Sequence, residues 1–252
     1  MKFTEIRRAG WDTETTGPDP TTARIVTAAL IVRGGGRPDR AMTWVINPGV
    51  PVPTEASDIH GYTTARVQAE GADPATALDE IATRLTDAIG WGMPLVAFNT
   101  SFDWTVLHYD LARHGLPTVV DRVGTETVLP LVDPHVIDQQ VIPRVRGKGM
   151  RKLKPTAERY GVELTDWHTA DADALAALLI AEAQFERHAR LAAVWDRGPG
   201  TLFEAQQKWR AAQQVSRRGY FAGQGEHEKA ASVRTEWPLL PVASPEPEGV
   251  SA

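Results

Sequence analysis

Trp11-Asp12-Thr13-Glu14-Thr15-Thr16-Gly17, with Ile6-Arg7-Arg8-Ala9-Gly10 ahead of it and Pro18 and Pro20 behind, is the stretch on which the fold turns. Ile6 to Asp12 has the pattern of a short strand, and the threonine, glycine and proline cluster that follows turns the chain. Strand side chains alternate between faces, so Asp12 and Glu14, two positions apart, point the same way. Two carboxylates on one side make half of a site for a hard cation, which takes oxygen ligands and keeps water and phosphate in its shell. An isolated D-x-E is more often a turn cap beside a solvated charge, so further acids must come from elsewhere in the chain.

Outward from this strand, Arg24 to Arg33 carries Ile25, Val26, Ala28, Leu30, Ile31 and Val32, the composition of a largely buried strand. Gly34-Gly35-Gly36 turns it into Ala41 to Ile46, a second half of a hairpin. Pro74 to Ile89 places Ala77, Leu78, Ile81, Leu85 and Ile89 at helical spacing, and Pro94 to Phe98 is a short apolar strand. Ser101 to His114 reads as a helix capped by Ser101 and closed by Gly115. Glu126 to Val132 reads as a further strand, and Lys154 to Tyr160 and Ala170 to His188 as helices. This order predicts an α/β fold, a mixed sheet flanked by helices in three α/β/α layers, with ligands beyond the C-terminal ends of parallel strands.

At 252 residues the chain has room for one sizeable domain with extra segments. We divide it into a domain over 1–190, a polar C-terminal helix over 201–222 and a Pro-rich, flexible tail over 223–252. The boundary falls at Trp195 to Gly200, and the tail, with Pro238, Pro241, Pro245 and Pro247, is expected to be disordered unless Trp237-Pro238-Leu239-Leu240 docks somewhere. Cysteine is absent, which removes disulfides, thiolate metal sites and cysteine nucleophiles, so a metal must be held by oxygen or imidazole. Met1 to Arg8 lacks the apolar run of a signal peptide and no stretch is long enough to span a bilayer, so the expectation is a cytoplasmic protein without membrane contact. The formal charge of −5 argues against coating duplex DNA by charge alone, though carboxylates gathered in a metal site contribute to that sum.

Two more acidic stretches supply partners for Asp12 and Glu14. Val96-Ala97-Phe98-Asn99-Thr100-Ser101-Phe102-Asp103 is an apolar strand breaking into a polar loop, with Asp103 opening a helix. Trp167-His168-Thr169-Ala170-Asp171-Ala172-Asp173-Ala174 sets His168 five residues before Asp173. Asp171 lies about 200° round the helix from Asp173 and is predicted to face away.

The first run resembles the first exonuclease motif of the DEDD superfamily, in particular that of the epsilon (proofreading) subunits of bacterial DNA polymerase III. The second and third stretches are similar to the later motifs, and His168, with Thr169 rather than tyrosine four residues before Asp173, matches the DEDDh 3′→5′ exonuclease subclass. The resemblance covers about residues 7 to 185. It implies a ribonuclease H-like fold and two divalent cations, Mg²⁺ or Mn²⁺, held by Asp12, Glu14, Asp103 and Asp173. It also implies His168 as general base, and cleavage of nucleotides from single-stranded or frayed DNA 3′ ends in proofreading, repair or replication. Ile46-Asn47-Pro48-Gly49 and Ile59-His60-Gly61-Tyr62-Thr63 look like the segment beside the terminal nucleotide, which makes Thr15, Ile59, His60 and Phe102 candidate substrate contacts. Packing is the competing role for these residues.

A basic run, Arg144, Arg146, Lys148, Arg151, Lys152 and Lys154, is either a solvated face or a grip on the DNA backbone. A DNA polymerase is the expected protein partner, although we find no clear glutamine-led, hydrophobic-ended clamp-binding peptide. Phe203 to Phe221 packs either on the domain or on such a partner. Two rivals remain at this stage: an RNA-trimming exoribonuclease with the same chemistry, and a non-catalytic scaffold attached to a polymerase.

Overall fold

The structure is a computed structural model and describes residues 1–124, 130–163 and 169–242. Five strands form one mixed sheet in the order β3-β2-β1-β4-β5. They are β1 (Arg8–Thr15), β2 (Ile25–Arg33), β3 (Arg40–Val45), β4 (Leu95–Val96) and β5 (Leu131–Val132). β1 is antiparallel to β2 and parallel to β4, which is parallel to β5. The strand predicted over 126–132 survives as Leu131–Val132, and residues 125–129 lie outside the described residues.

The helices are α1 (Thr54–His60), α2 (Thr64–Glu70), α3 (Pro74–Gly90), α4 (Ser101–Arg113), α5 (Val119–Val123) and α6 (Pro134–Val141). They continue with α7 (Leu153–Tyr160), α8 (Ala170–Arg187), α9 (Ala189–Trp195), α10 (Pro199–Gly223) and α11 (His227–Ala231). β2 is buried from Ile25 through Ile31, and its alternation feeds two cores. Ala28 and Leu30 pack with Leu78, Ile81 and Leu85 of α3 and Val106 and Leu107 of α4, whereas Ala29 and Ile31 pack with Ala177, Leu178 and Ala181 of α8. The helices therefore form a layer on each side of the sheet. α10 lies at the β5 edge and contributes to both cores, Phe203 to the first and Leu202 to the second.

Gly10 explains how α8 comes so near β1. It shares a face with Asp12 and Glu14, and a Cβ placed on it would lie 2.5 Å from the Ala174 carbonyl oxygen and 2.7 Å from Leu178. Farther along α8, Glu182 pairs with the buried Arg8 and, at 3.2 Å, with Arg33, so the helix is fastened to β1 and β2. Gly10→Ala should force α8 away from the sheet at a cost of about 1–3 kcal/mol. Urea unfolding checks this: the midpoint should fall at unchanged slope, and an unshifted midpoint would mean that the helix has room to spare.

Three local expectations change. β1 does not end at Asp12 but runs to Thr15, so both acids belong to the strand and the irregularity falls between Glu14 and Thr15. Thr100, not Ser101, holds the N-cap position of α4; it makes no side-chain cap bond, and its hydroxyl donates to the Ala97 carbonyl instead. The segment after 223, expected to lack packed structure, contains α11 and buries Trp237 to 6 % exposure. No helix among the described residues is long and apolar enough to cross a membrane.

Candidate metal centre

The C-terminal half of β1 presents Asp12 and Glu14 to the face that α8 covers. Asp173, in the first turn of α8, arrives from above that face, brought in by the close contact at Gly10. One carboxylate oxygen from each of Asp12, Glu14 and Asp173 lies within 4.8 Å of the others. Asp171 is exposed and outside this group, as its place on the helix predicts.

Asp103 approaches from the first turn of α4, on the other side of the sheet edge. It is 3 % exposed, and its Oδ1 accepts from the Thr13 backbone N–H at 3.0 Å and the Thr13 hydroxyl at 2.7 Å. Thr13 thus ties α4 to the strand that carries the other two acids. Among neighbouring charges, Asp103 weighs most on Asp12, ahead of Asp173 and Glu14.

Crowding four carboxylates without a cation leaves a clear electrostatic signature. Burial, followed by repulsion from Asp103, Asp173 and Glu14, raises Asp12 well above the ordinary carboxylate range. Burial and then Asp173 and Asp103 push Glu14 up to about 8. Burial lifts Asp103 to about 7 against the two hydrogen bonds from Thr13. Among the described residues the ion pairs lie elsewhere, at Arg8–Glu182, Arg24–Asp110 and Arg151–Asp138, and none reaches Asp12, Glu14 or Asp103. Such an oxygen-only set suits hard divalent cations, which would replace protons on these groups.

A pH dependence follows. With pKa values raised above those of the unfolded chain, the folded state holds more protons between the ordinary carboxylate range and pH 8, so stability falls as pH rises. The contribution is complete below the unfolded values and is lost through about pH 7 to 8. In EDTA, Tm should decline from pH 5 to pH 8, and Mn²⁺ should restore it most at pH 8. A Tm indifferent to both would contradict this electrostatic account.

Of the predicted substrate contacts, Thr15 ends β1 and His60 lies against its backbone. Thr15 is 7 % exposed, and its hydroxyl donates to the Gly17 carbonyl. His60 ends α1; its Nδ1 accepts from the Tyr62 N–H at 3.1 Å, and its buried Nε2 makes no well-formed hydrogen bond among the described residues. Burial lowers its pKa, opposed by the Thr15 backbone. Ile59, beside it, is 60 % exposed, and Phe102 is half-buried in the first turn of α4. His168, the expected general base, lies in 164–168, outside the described residues.

Part of the basic run has a different employment. Arg151 reaches back 2.6 Å to Asp138, which is fully buried and also holds Arg159 at 3.0 Å, so Arg151 pins the loop onto α6. Arg144, Arg146, Lys148 and Lys152 are exposed.

Asp133 is not among the site residues predicted from sequence. It is 1 % exposed and caps α6, with Oδ1 accepting from His135 N at 3.0 Å and Val136 N at 3.3 Å. The same carboxylate receives Asn99 N at 3.0 Å and Thr100 N at 3.1 Å, from the loop that leads to Asp103. Asn99 needs this support because its φ of 67° is left-handed, a region that asparagine tolerates better than most residues. Asp-Pro at a strand-to-helix junction, an N-cap followed by proline at N1, was the available signal.

The sequence profile of the Exonuclease family matches residues 10–181. Among curated relatives, DNA polymerase III PolC-type of Streptococcus sanguinis is 26% identical over 175 residues, 69% of this chain and 11% of that protein. The chain therefore spans about a ninth of the length of this relative. Among solved structures, E. coli Exonuclease I in complex with a dT13 oligonucleotide superposes with a TM-score of 0.57 at 19% identity, over 74% of this chain and 42% of that one. A moderately thermophilic Exonuclease I from Methylocaldum szegediense gives 0.60 at 22%, over 79% and 44%. At these identities the structural likeness speaks for the fold, a ribonuclease H-like sheet with helices on both faces.

Proposed function

The chain belongs to the Exonuclease family, and from that premise we propose that it is a metal-dependent 3′→5′ exonuclease that releases nucleoside 5′-monophosphates from DNA. The observation that carries this reading is the meeting of Asp12, Glu14 and Asp173 within 4.8 Å, with Asp103 beside Asp12.

Asp12, Glu14, Asp103 and Asp173 would hold two divalent cations, Mg²⁺ or Mn²⁺, with Asp12 the acid that feels the other three charges. When bound, such a pair supplies Lewis-acid stabilisation of the attacking and leaving oxygens of a phosphodiester. The chain's own groups do the rest. Thr13 holds the Asp103 carboxylate still, so that it need not reorganise during the reaction. His168 would accept the proton of the attacking water as general base. Ile59 and Phe102 offer apolar faces to the terminal base and sugar without reading sequence. Thr15 and the Nε2 of His60 would supply polar contacts there. Arg144, Arg146, Lys148 and Lys152 line the approach of the phosphate backbone, and Arg151 does not.

DNA is favoured as substrate by the oligonucleotide complex of Exonuclease I and the polymerase to which this chain is similar. That second similarity also supports a DNA polymerase as partner, and a role in proofreading or repair in the cytoplasm completes the proposal. Digestion of 5′-labelled single-stranded DNA with Mg²⁺ tests the proposal. The label should appear in a ladder shortening from the 3′ end, EDTA should stop it, and RNA of the same sequence should be cut more slowly. Preference for RNA would move the chain to RNA trimming, and no cleavage with either metal would favour a scaffold.

A further inference from the structure

We propose that the C-terminal segment Trp237 to Val242, together with Gln206 of α10, is a brace that positions Asp103 for metal binding. This rests on the metal-centre reading above.

The brace has two arms. β5 is an edge strand, and its outward backbone groups would lack partners were it not for Gln206, which is fully buried. Gln206 Nε2 donates to the Leu131 carbonyl at 2.8 Å, and its Oε1 accepts from Asp133 N at 2.7 Å, so one amide completes the strand and sets Asp133 at its end. Trp237, packed against Phe203 of α10 with ring centroids 5.1 Å apart, donates from Nε1 to Asp133 Oδ2 at 3.3 Å. Asp133 then holds Asn99 N and Thr100 N, and the carbonyls of those two residues receive Phe102 N at 2.8 Å and Trp104 N at 2.9 Å on either side of Asp103.

The second arm runs along α4 itself. Leu240 N donates to the Thr105 hydroxyl at 2.9 Å. The Tyr109 hydroxyl donates to the Leu240 carbonyl at 3.3 Å and accepts from Val242 N at 3.1 Å. Thr105 and Tyr109 are four apart, one turn of helix, so the segment lies on a single stripe of the helix that carries Asp103. Residues far along the chain thus fix both the loop before Asp103 and the helix after it. Asp133, Gln206 and Trp237 are positioning residues, acting on the metal through Asp103.

Trp237→Phe and Gln206→Met test this because both keep bulk and leave every charge in place. Mn²⁺ alone is titrated into the full-length chain by calorimetry, alongside Ile89→Ala, a destabilising control on α3 at the helix end leading into β4, away from the carboxylates. Losing an outer-shell partner typically weakens metal binding by about 10-fold or more. For this more remote brace the expected rise in the Mn²⁺ half-saturation concentration is about 3- to 10-fold in both variants, against none in the control at comparable loss of Tm. Brace variants that lose only Tm and bind Mn²⁺ like the parent would overturn the proposal, as would a parent that takes up no Mn²⁺. A parent that binds Mn²⁺ and cuts no nucleic acid would end the nuclease reading, while the shift in half-saturation would still support the brace.

Discussion

Asp12→Asn should lower DNA cleavage by at least about 10³-fold, the loss of roughly 4 kcal/mol of transition-state stabilisation, while the metal-free protein keeps or gains Tm. Both halves follow from one arrangement. Asp12 stands between Asp103, Asp173 and Glu14 and feels all three charges, so it is where two cations could share a ligand. The same crowding makes its charge a burden to the empty fold, and an uncharged amide of equal shape relieves it. Sites that trade stability for chemistry show this opposition of effects. Steady-state rates on labelled DNA and a melt in EDTA, run on one preparation, read both. An insoluble or strongly destabilised variant would mean that the carboxylate is a structural group.

Replacing His168 with alanine should reduce turnover by about 10²–10⁴-fold, the range for loss of a general base, with Mn²⁺ binding unchanged. The split between rate and affinity is the informative part. The proposed metal ligands Asp12, Glu14, Asp103 and Asp173 include no imidazole, so removing His168 should leave metal binding intact. A variant as fast as the parent on single-stranded DNA would assign the proton to another acceptor.

The parts of this site that the sequence displays are those governed by local periodicity. Alternation along β1 puts Asp12 and Glu14 on one face, and the helical turn separates Asp173 from Asp171; both hold in three dimensions. The long apolar strand β2 and the helices α3, α7 and α8 announce themselves by the same means. What stays hidden depends on partners distant in the chain. Asp133 receives Asn99 from 34 residues before it and Trp237 from 104 after it, and no local pattern encodes either. Gln206 sits in a helix that reads as polar, with its packing partner left open between the domain and another protein, and its amide closes a sheet edge. Proline around Trp237 rules out regular structure there, and irregular backbone can still pack when its polar groups find side chains such as Thr105 and Tyr109. Arg151 illustrates the converse, a charge in a basic run that a buried aspartate claims from 13 residues away. The short helices α1 and α2, seven residues each, are too brief for periodicity to separate from loop.

Anomalous diffraction from crystals of the protein grown with Mn²⁺ tests the central claim most directly. The account predicts two manganese peaks about 3.5–4 Å apart, ringed by Asp12, Glu14, Asp103 and Asp173. Carboxylates turned away from one another, or manganese bound elsewhere with none between them, would contradict it.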